Sequence, residues 1–299
     1  MLYTISNGKI ELTIESHGAE IKSLKKENKE YMWHGDPAFW GRTSPVLFPI
    51  VGSLKGKSFR KDGETYTMGQ HGFARDTEFT LLKEEKDSIT FRLQSDAGTI
   101  SLYPYDFCLD ISYILDGESV KVNWRVENPG EKVLDFQIGA HPAFLCGMDG
   151  YSFSVYTRKR EEGFEPYDCW EDVKCLTIQK LCSDGSGTLN PVKNELPIQG
   201  VLSITPKLFA EDALICSGYE GEMMVAITNP EGDDEVSVIF DAPLFGLWSP
   251  AGKNAPFVCI EPWYGRCDAG DFVGEFAERE YMNHLLPGEI FERSYMIVV

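Results

Sequence analysis

Most of the chain alternates apolar and polar residues with a period of two, which is the pattern of half-buried β-strands. In the clearest case an apolar run from residue 107 meets a turn at Asp116-Gly117, after which every second residue is apolar up to Val126. Asp-Gly readily supplies the positive φ angles of tight turns, so we expect a hairpin here. Asp62-Gly63 predicts another hairpin between residues 58–60 and 66–68.

Further strands are predicted over residues 89–93, 151–156, 223–228, 235–240, 257–260 and 291–299, and the stretch 272–285 is predicted to be helical. Glycine and proline interrupt residues 146–210 repeatedly. Apolar and aromatic residues nevertheless stay frequent there. We therefore interpret this region as long loops with short strands, and not as a disordered linker between domains.

The order of these elements determines the expected fold class. The sequence has no strand-helix-strand rhythm and no glycine-rich phosphate loop, which disfavours a parallel nucleotide-binding sheet. We predict an all-β protein in which residues 1–299 form one domain of large antiparallel sheets packed face to face.

The charge balance narrows the possible partners. With 28 basic and 47 acidic side chains, the net charge of −19 repels phosphate backbones and anionic membrane surfaces. We therefore expect neither nucleic acid nor membrane as a partner. Since the amino terminus has no signal-peptide pattern and no apolar run is long enough to span a bilayer, we expect a cytoplasmic protein. No feature of the sequence predicts an oligomeric state.

The eight cysteines are predicted to be reduced thiols, because a chain of this size without a secretion signal rarely depends on disulfides. Cys169, Cys175 and Cys182 lie close together in the sequence. Their spacings are wider than those of structural zinc sites, so we expect ordinary buried or half-exposed thiols there.

Glu261 is an exception within the apolar and aromatic segment VCIEPWYG at 258–265. A lone buried charge is costly, so such a residue is paired, protonated or used chemically. Two interpretations stay open. Either Glu261 binds a nearby backbone amide or an arginine such as Arg266, or it performs acid-base work with a pKa raised by burial beside Trp263.

Two of the five histidines occur in segments that constrain them, QHGFAR at 70–75 and GAHPAF at 139–144. His71 and His141 are therefore expected to have rings held by packing. Histidine titrates near neutral pH, and Arg42 is likewise set among aromatic residues. The remaining histidines are expected in solvated or capping positions: His17, His34 and His284, the last within the predicted helix.

Other chemistries receive weaker support. Two histidines and a carboxylate bind zinc or iron, but His71, His141 and Glu261 lack the short spacing of common metal motifs. A glycosidase would need a second carboxylate, for which Asp212 and Asp241 are candidates. The sequence contains no Gly-x-Ser-x-Gly elbow for a serine hydrolase.

Taken in order, these segments resemble the aldose 1-epimerase (galactose mutarotase-like) superfamily, and most closely its LacX-type branch. The resemblance covers nearly the whole chain. It rests on five segments: GRTSPVLFPIVG at 41–52, HGFAR at 71–75, GAHPAF at 139–144, LFAEDAL at 208–214 and IEPW at 260–263.

The resemblance implies a single β-supersandwich domain that interconverts the α and β anomers of a free or phosphorylated sugar without a cofactor or metal. By motif match, Glu261 would be the base that removes the C1 hydroxyl proton, and His141 the acid that protonates the ring oxygen, so we expect the two to face each other across a sugar-sized pocket. His71 and Arg42 would bind ring oxygens, and Asp212 sugar hydroxyls. Aromatic residues near the motifs, Phe73, Phe144, Trp248 and Trp263, are plausible stacking faces.

The segments also depart from the galactose mutarotases, which carry different residues around both histidines, and this departure leaves the sugar open. HGFAR is shared with hexose-6-phosphate 1-epimerases, in which basic residues near the site meet a phosphate. In this chain Arg42 and Arg75 would do so. Two alternatives to a free-sugar epimerase therefore remain: a hexose-6-phosphate 1-epimerase, and a non-catalytic carbohydrate-binding or sensing protein on the same fold.

Overall fold

The computed structural model of the protein describes residues 1–158 and 170–299. Every strand pair within these ranges is antiparallel. The strands are β1 (Leu2–Ser6), β2 (Ile10–Glu15), β3 (Glu20–Lys26), β4 (Lys29–Glu30), β5 (Val46–Leu47), β6 (Ser58–Lys61), β7 (Glu64–Thr67), β8 (Thr80–Glu84), β9 (Ser88–Gln94), β10 (Cys108–Asp116), β11 (Ser119–Glu127), β12 (Leu134–Phe136), β13 (Ile138–Ala140), β14 (Ala143–Leu145), β15 (Ser152–Arg158), β16 (Glu171–Asp172), β17 (Cys175–Gln179), β18 (Asn194–Pro197), β19 (Val201–Ser203), β20 (Leu214–Ser217), β21 (Glu222–Thr228), β22 (Asp234–Phe240), β23 (Leu244–Trp248), β24 (Phe257–Tyr264), β25 (Asn283–Leu285) and β26 (Ile290–Val298).

Helical structure in the described residues is limited to short pieces. One α-helix, α1 (Ala97–Leu102), is accompanied by 3₁₀ turns at Lys55–Lys57, Ala74–Asp76 and Phe276–Glu278. None of these helices has the length and apolar character needed to cross a membrane. The prediction of an all-β protein is therefore confirmed.

Two large sheets form the body of the protein. A ten-stranded sheet runs in the order β16-β15-β21-β22-β26-β11-β10-β9-β8, with β19 beside β15, and an eight-stranded sheet runs β18-β17-β20-β23-β24-β13-β5, with β14 beside β24. One apolar core contains side chains of both sheets, among them Phe91 and Val238 from the larger and Val258 and Ile260 from the smaller. Burial of these opposing faces holds the two sheets together.

The turn predictions are confirmed by both hairpins. β6 and β7 are joined by Asp62 and Gly63, which both have positive φ, at 53° and 84°. In the hairpin of β10 and β11 the positive φ falls on Gly117 at 58°, while Asp116 is the last residue of β10. The first turn therefore uses the conformation that an Asp-Gly pair favours, whereas in the second Gly117 alone supplies the positive φ and the turn residues are Gly117 and Glu118.

The helix predicted over residues 272–285 is wrong. The structure has the 3₁₀ turn at Phe276–Glu278 there, followed by strand β25, which pairs with β12. Tertiary contacts override the local pattern, because the buried Arg279 guanidinium donates to Asp268, Gln137 and the Arg266 carbonyl. His284 consequently lies in a strand, with Nδ1 2.7 Å from the Asp135 carboxylate.

Alternation along β24 divides its residues between two environments. Val258, Ile260 and Tyr264 join the main core. The alternate positions 257, 259, 261 and 263 point to the other face of the sheet. There Glu261 is followed two residues later by Trp263, which belongs to a separate small apolar cluster. The strand thus carries Glu261 on the face opposite the main core.

Candidate active site

A cavity of about 220 Å³ lies on this second face, and its lining includes Glu261, His141, His71, Arg75 and Asp212. Glu261 is 1% exposed, and its Oε2 is 3.3 Å from His141 Nε2. The sequence led us to expect these two residues on opposite sides of a pocket. The structure instead places them side by side on one wall.

Unsatisfied polar atoms are concentrated in this cavity. Six buried side-chain nitrogen or oxygen atoms in the described ranges lack a hydrogen-bond partner, and four belong to residues of the lining: Arg75 Nε, His141 Nδ1, Glu261 Oε2 and Trp263 Nε1. The contact between Glu261 and His141 is close, yet it is not aligned as a hydrogen bond. Because buried polar groups normally have hydrogen-bond partners, this cluster is typical of a binding site for a polar ligand.

Aromatic rings fix the orientation of His141, which directly follows β13. Trp40 stacks on the imidazole with ring centroids 4.7 Å apart, and Trp248 meets it edge-on at 5.4 Å. The His71 ring also contacts it edge-on, at 5.6 Å. Packing on three sides holds the imidazole against Glu261, as catalysis by a positioned group requires.

The position of Trp263 depends on two glycines in the neighbouring strands. A Cβ on Gly139 in β13 would lie 2.7 Å from Trp263 Cδ1, and one on Gly246 in β23 would lie 2.6 Å from Cη2. Only glycine leaves space for the indole to lie across both strands. The ring therefore forms part of the wall beside Glu261.

Replacement of Gly246 by alanine is expected to destabilise the protein by about 1–3 kcal/mol, because a rigid ring rather than a flexible chain opposes the new methyl group. Urea unfolding measures the change. Gly69→Ala is the matched control, since nothing lies within 4 Å of its Cβ position and its φ is not positive. Equal stabilities of the two variants would contradict the proposed packing.

His71 presents a fixed tautomer. The Gly52 backbone N–H donates to His71 Nδ1 over 3.1 Å, and the His71 backbone N–H donates to the Gly52 carbonyl. Burial, reinforced by His141, Arg75 and Arg42, holds the pKa of His71 well below its usual value. The neutral ring thus carries its proton on Nε2, so His71 is a hydrogen-bond donor and not an acid.

The pKa values of the close pair are displaced in opposite directions. Burial, together with the nearby Asp212 carboxylate, raises the pKa of Glu261 well above its usual value. Burial and the positive charge of Arg75 lower the pKa of His141 to about 3. The expected rise for Glu261 is present, whereas His141 does not titrate near neutral pH. Burial therefore favours the neutral form of both groups, in which the pair holds one proton, on Glu261.

Of the two predicted arginines, only Arg75 lines the cavity. It donates to the Gln70 carbonyl over 2.7 Å, and burial next to Arg42 lowers its pKa to about 10. Arg42 is not among the lining residues, and its guanidinium donates to Asp76 over 2.7 Å. Arg42 thus supports the site through charge and does not face the cavity.

Of the three candidate carboxylates, Asp212 and Glu261 line the cavity and Asp241 does not. Asp212 lines the cavity, with φ at 74° and one oxygen accepting from the Ala213 N–H. Asp241 accepts a hydrogen bond from Tyr264 and is not among the lining residues. Glu261 is not tied to Arg266, which donates instead to Glu280. The arginine-paired interpretation of Glu261 is therefore excluded.

One group of possible metal donors is present in the described part of the chain. Ligand atoms of His141, Cys259 and Glu261 lie within 4.8 Å of one another, and His71 is not in the group. Burial and Glu261 raise the pKa of the Cys259 thiol, which disfavours the thiolate that a metal needs. Cys175 is exposed and Cys182 half-buried, both as free thiols, while Cys169 lies outside the described residues.

Sequence reasoning missed part of the lining. Trp40, Gln70 and residues of the loop after β17, such as Leu181 and Gly187, contribute to the wall. The only sign in the sequence that Trp40 lines the cavity was its position directly before the Gly41-Arg42 segment. Among the proposed stacking residues, Trp248 and Trp263 line the cavity, while Phe73 and Phe144 pack with the main core.

The packed antiparallel sheets and their cavity place the protein in the class of galactose mutarotase-like β-supersandwich proteins. A galactose mutarotase related enzyme from Lactobacillus acidophilus superposes with a TM-score of 0.88 at 32% identity, covering 100% of this chain and 97% of that one. A galactose mutarotase-like protein from Lactobacillus casei ATCC 334 gives 0.83 at 28% identity, covering 100% and 99%.

Sequence comparison gives the family. The aldose 1-epimerase family model matches residues 1–168, and the chromosomal LacX protein of Lactococcus lactis subsp. lactis is 28% identical over 310 aligned residues, covering 100% of this chain and 99% of that protein. The chain belongs to the aldose 1-epimerase family, which confirms the resemblance found in the sequence.

Proposed function

We propose that the protein is an active aldose 1-epimerase that interconverts the α and β anomers of a hexose or related aldose. The observation that carries this proposal is the 3.3 Å contact between the buried residues Glu261 and His141, from Oε2 to Nε2, on the wall of the cavity. The two oxygens that exchange protons in this reaction are bonded to the same sugar carbon. Groups that serve both oxygens must therefore be close neighbours.

In the proposed reaction, Glu261 as carboxylate takes the proton of the C1 hydroxyl and protonated His141 gives a proton to the ring oxygen. The bond from C1 to the ring oxygen breaks, which leaves an open-chain aldehyde. Rotation about the C1–C2 bond turns the aldehyde over. Reclosure with both proton transfers reversed gives the other anomer, so the enzyme ends in its initial protonation state.

The single proton of the pair suits a reversible reaction. The working form has the proton on His141, and the resting form has it on Glu261. Transfer between the two groups needs no external donor, since they are in contact. Both forms have the same net charge, so the buried site never carries an uncompensated charge.

The other lining residues have binding roles in this proposal. The fixed Nε2–H of His71 and the Nε–H of Arg75 are donors for sugar oxygens. Asp212 accepts from sugar hydroxyls, and the Trp248 ring offers an apolar face. A cavity of about 220 Å³ is smaller than a site for a drug-sized ligand and is consistent with one sugar ring.

Anomer exchange measured by NMR on a panel of free and phosphorylated aldoses, as a function of pH, tests the proposal. We expect acceleration with at least one aldose. We also expect that kcat/KM does not fall as the pH drops through 6.5, because the pair of Glu261 and His141 takes up a second proton, on His141, only near pH 3. Since the pKa of Glu261 is raised, activity falls when pH rises through that value and the shared proton is lost.

Two other outcomes would contradict parts of the proposal. Sugar binding without acceleration of exchange would support a non-catalytic binding protein. A preference for phosphorylated sugars that Arg75→Ala removes would support a hexose-6-phosphate epimerase, because Arg75 is the cavity-lining arginine with an unpartnered Nε.

A further inference from the structure

Trp40 is the part of the cavity wall that stacks on His141, and it does not belong to a strand. It lies in the connection between β4 and β5, while its ring centroid is 4.7 Å from that of the imidazole. A side chain in a loop keeps a fixed position only if other contacts hold the loop. The orientation of His141 therefore depends on whatever fixes this connection.

The chain makes one tight turn just before Trp40. The Asp36 carbonyl accepts from the backbone N–H groups of Phe39 and Trp40 over 3.0 and 2.9 Å, and the Asp36 side chain accepts from the Ala38 N–H over 2.9 Å. A single turn that does not continue as a helix leaves its last carbonyl groups without backbone donors. The carbonyls of Ala38 and Phe39 are in this position.

Lys253 supplies the donor for both carbonyls. Its Nζ is 3.2 Å from the Ala38 oxygen and 2.8 Å from the Phe39 oxygen. The residues on either side, Gly252 and Asn254, have positive φ of 69° and 47°, so the chain bends sharply at Lys253. A cationic side chain is well suited to the carbonyl end of a turn.

The loop that carries Lys253 is attached to the sheet that carries the site. It joins β23 to β24, the strand of Glu261. Ser249 Oγ closes its base by donating to the Phe257 carbonyl over 2.9 Å, and Ala255 is buried in the same apolar cluster as Phe257. Lys253 thus ties the turn before Trp40 to the strand of the proposed base.

The part of the connection at and after Trp40 is held by buried groups. The Trp33 indole N–H donates to the Trp40 carbonyl over 2.9 Å. The Glu20 carboxylate accepts from the backbone N–H groups of Thr43 and Ser44 over 2.7 and 2.8 Å. The turn before Trp40 is held differently, because its contact to the sheet is made by an exposed lysine.

We propose that Lys253 is a positioning residue of the active site, which keeps the Trp40 ring on His141 by binding the turn before Trp40. Lys253 does not line the cavity, so it acts on the imidazole only through Trp40. Without the lysine, the imidazole spends less time in the orientation that protonates the ring oxygen. The effect on rate rests on the proposed epimerase function, whereas the stacking of Trp40 on His141 is measurable without it.

Lys253→Met tests this inference, because methionine keeps much of the length of the side chain and donates no hydrogen bond. We expect kcat for anomer exchange to fall by about 3- to 10-fold, the range for loss of one hydrogen-bonding group, and KM to stay within about twofold. In NMR spectra the carbon-bound ring protons of His141, assigned by comparison with His141→Phe, should move to lower field as the stacked indole withdraws. Lys253→Arg, which retains donors for both carbonyls, should restore kcat and the resonances.

Lys121→Met is the matched control, since Lys121 is an exposed lysine in β11, and it should change neither kcat nor the His141 resonances. In an active enzyme, the inference requires both changes in Lys253→Met, so either one alone, or neither, would overturn it. Failure of Lys253→Arg to restore them would overturn it as well. If the wild-type protein does not accelerate exchange, the epimerase proposal fails and the His141 resonances decide. Their movement in Lys253→Met would support the inference, and unchanged resonances would overturn it.

Discussion

Glu261→Gln is expected to lower kcat/KM for anomer exchange by about 10²–10⁴-fold, the range for loss of one positioned acid-base group. The amide preserves the size of the side chain but neither gives nor takes the proton of the C1 hydroxyl. Sugar binding should change much less, because His71, Arg75 and Asp212 remain in the lining. NMR exchange rates and calorimetric binding, measured on the same preparation, separate the two effects.

Glu64→Gln provides the control for this substitution, since Glu64 is an exposed carboxylate in β7. It should leave both exchange and binding unchanged. Exchange by Glu261→Gln at the wild-type rate would exclude Glu261 as the base. Loss of binding equal to the loss of exchange would instead indicate that Glu261 only holds the sugar.

His141→Phe is expected to reduce kcat by about 10²–10⁴-fold while the fold is retained. Phenylalanine keeps an aromatic ring between Trp40 and Trp248 but removes both nitrogens, so the ring oxygen loses its proton donor. The variant also leaves Glu261 without its neighbour in a buried wall. Polarimetry, which follows the initial rate of enzyme-catalysed anomer exchange at saturating sugar, measures the effect.

The chain offers a second pair of histidine and carboxylate for comparison. His284 lies 2.7 Å from Asp135, and neither residue lines the cavity. His284→Phe should therefore leave kcat near the wild-type value. A similar loss in both histidine variants would point to a general effect on folding, and wild-type activity of His141→Phe would exclude His141 as the acid.

Local pattern was sufficient for much of the fold. The Asp-Gly turns and the period-two alternation gave the hairpins, because both signals arise from neighbouring residues. Residues 272–285 were mispredicted since their conformation depends on a distant partner. Arg279 reaches Asp268 and Gln137, and no local pattern reveals these contacts.

The candidate site was predictable in its residues and less so in its geometry. The anomalous carboxylate and the constrained histidines identified Glu261, His71 and His141, which line one cavity. Their spacing in the sequence gave no distance, so the direct contact of Glu261 with His141 was not foreseen. The outward pairing of Arg42 with Asp76 likewise depends on the folded chain.

The two environments of β24 have a consequence for substitutions in this strand. Neighbouring residues of this strand serve different requirements, since Ile260 belongs to the main core and Glu261 to the cavity wall. A substitution at Trp263 therefore alters the cavity wall without touching the main core, and one at Ile260 alters the main core without touching the cavity. The strand thus separates changes to the cavity wall from changes to the body of the protein.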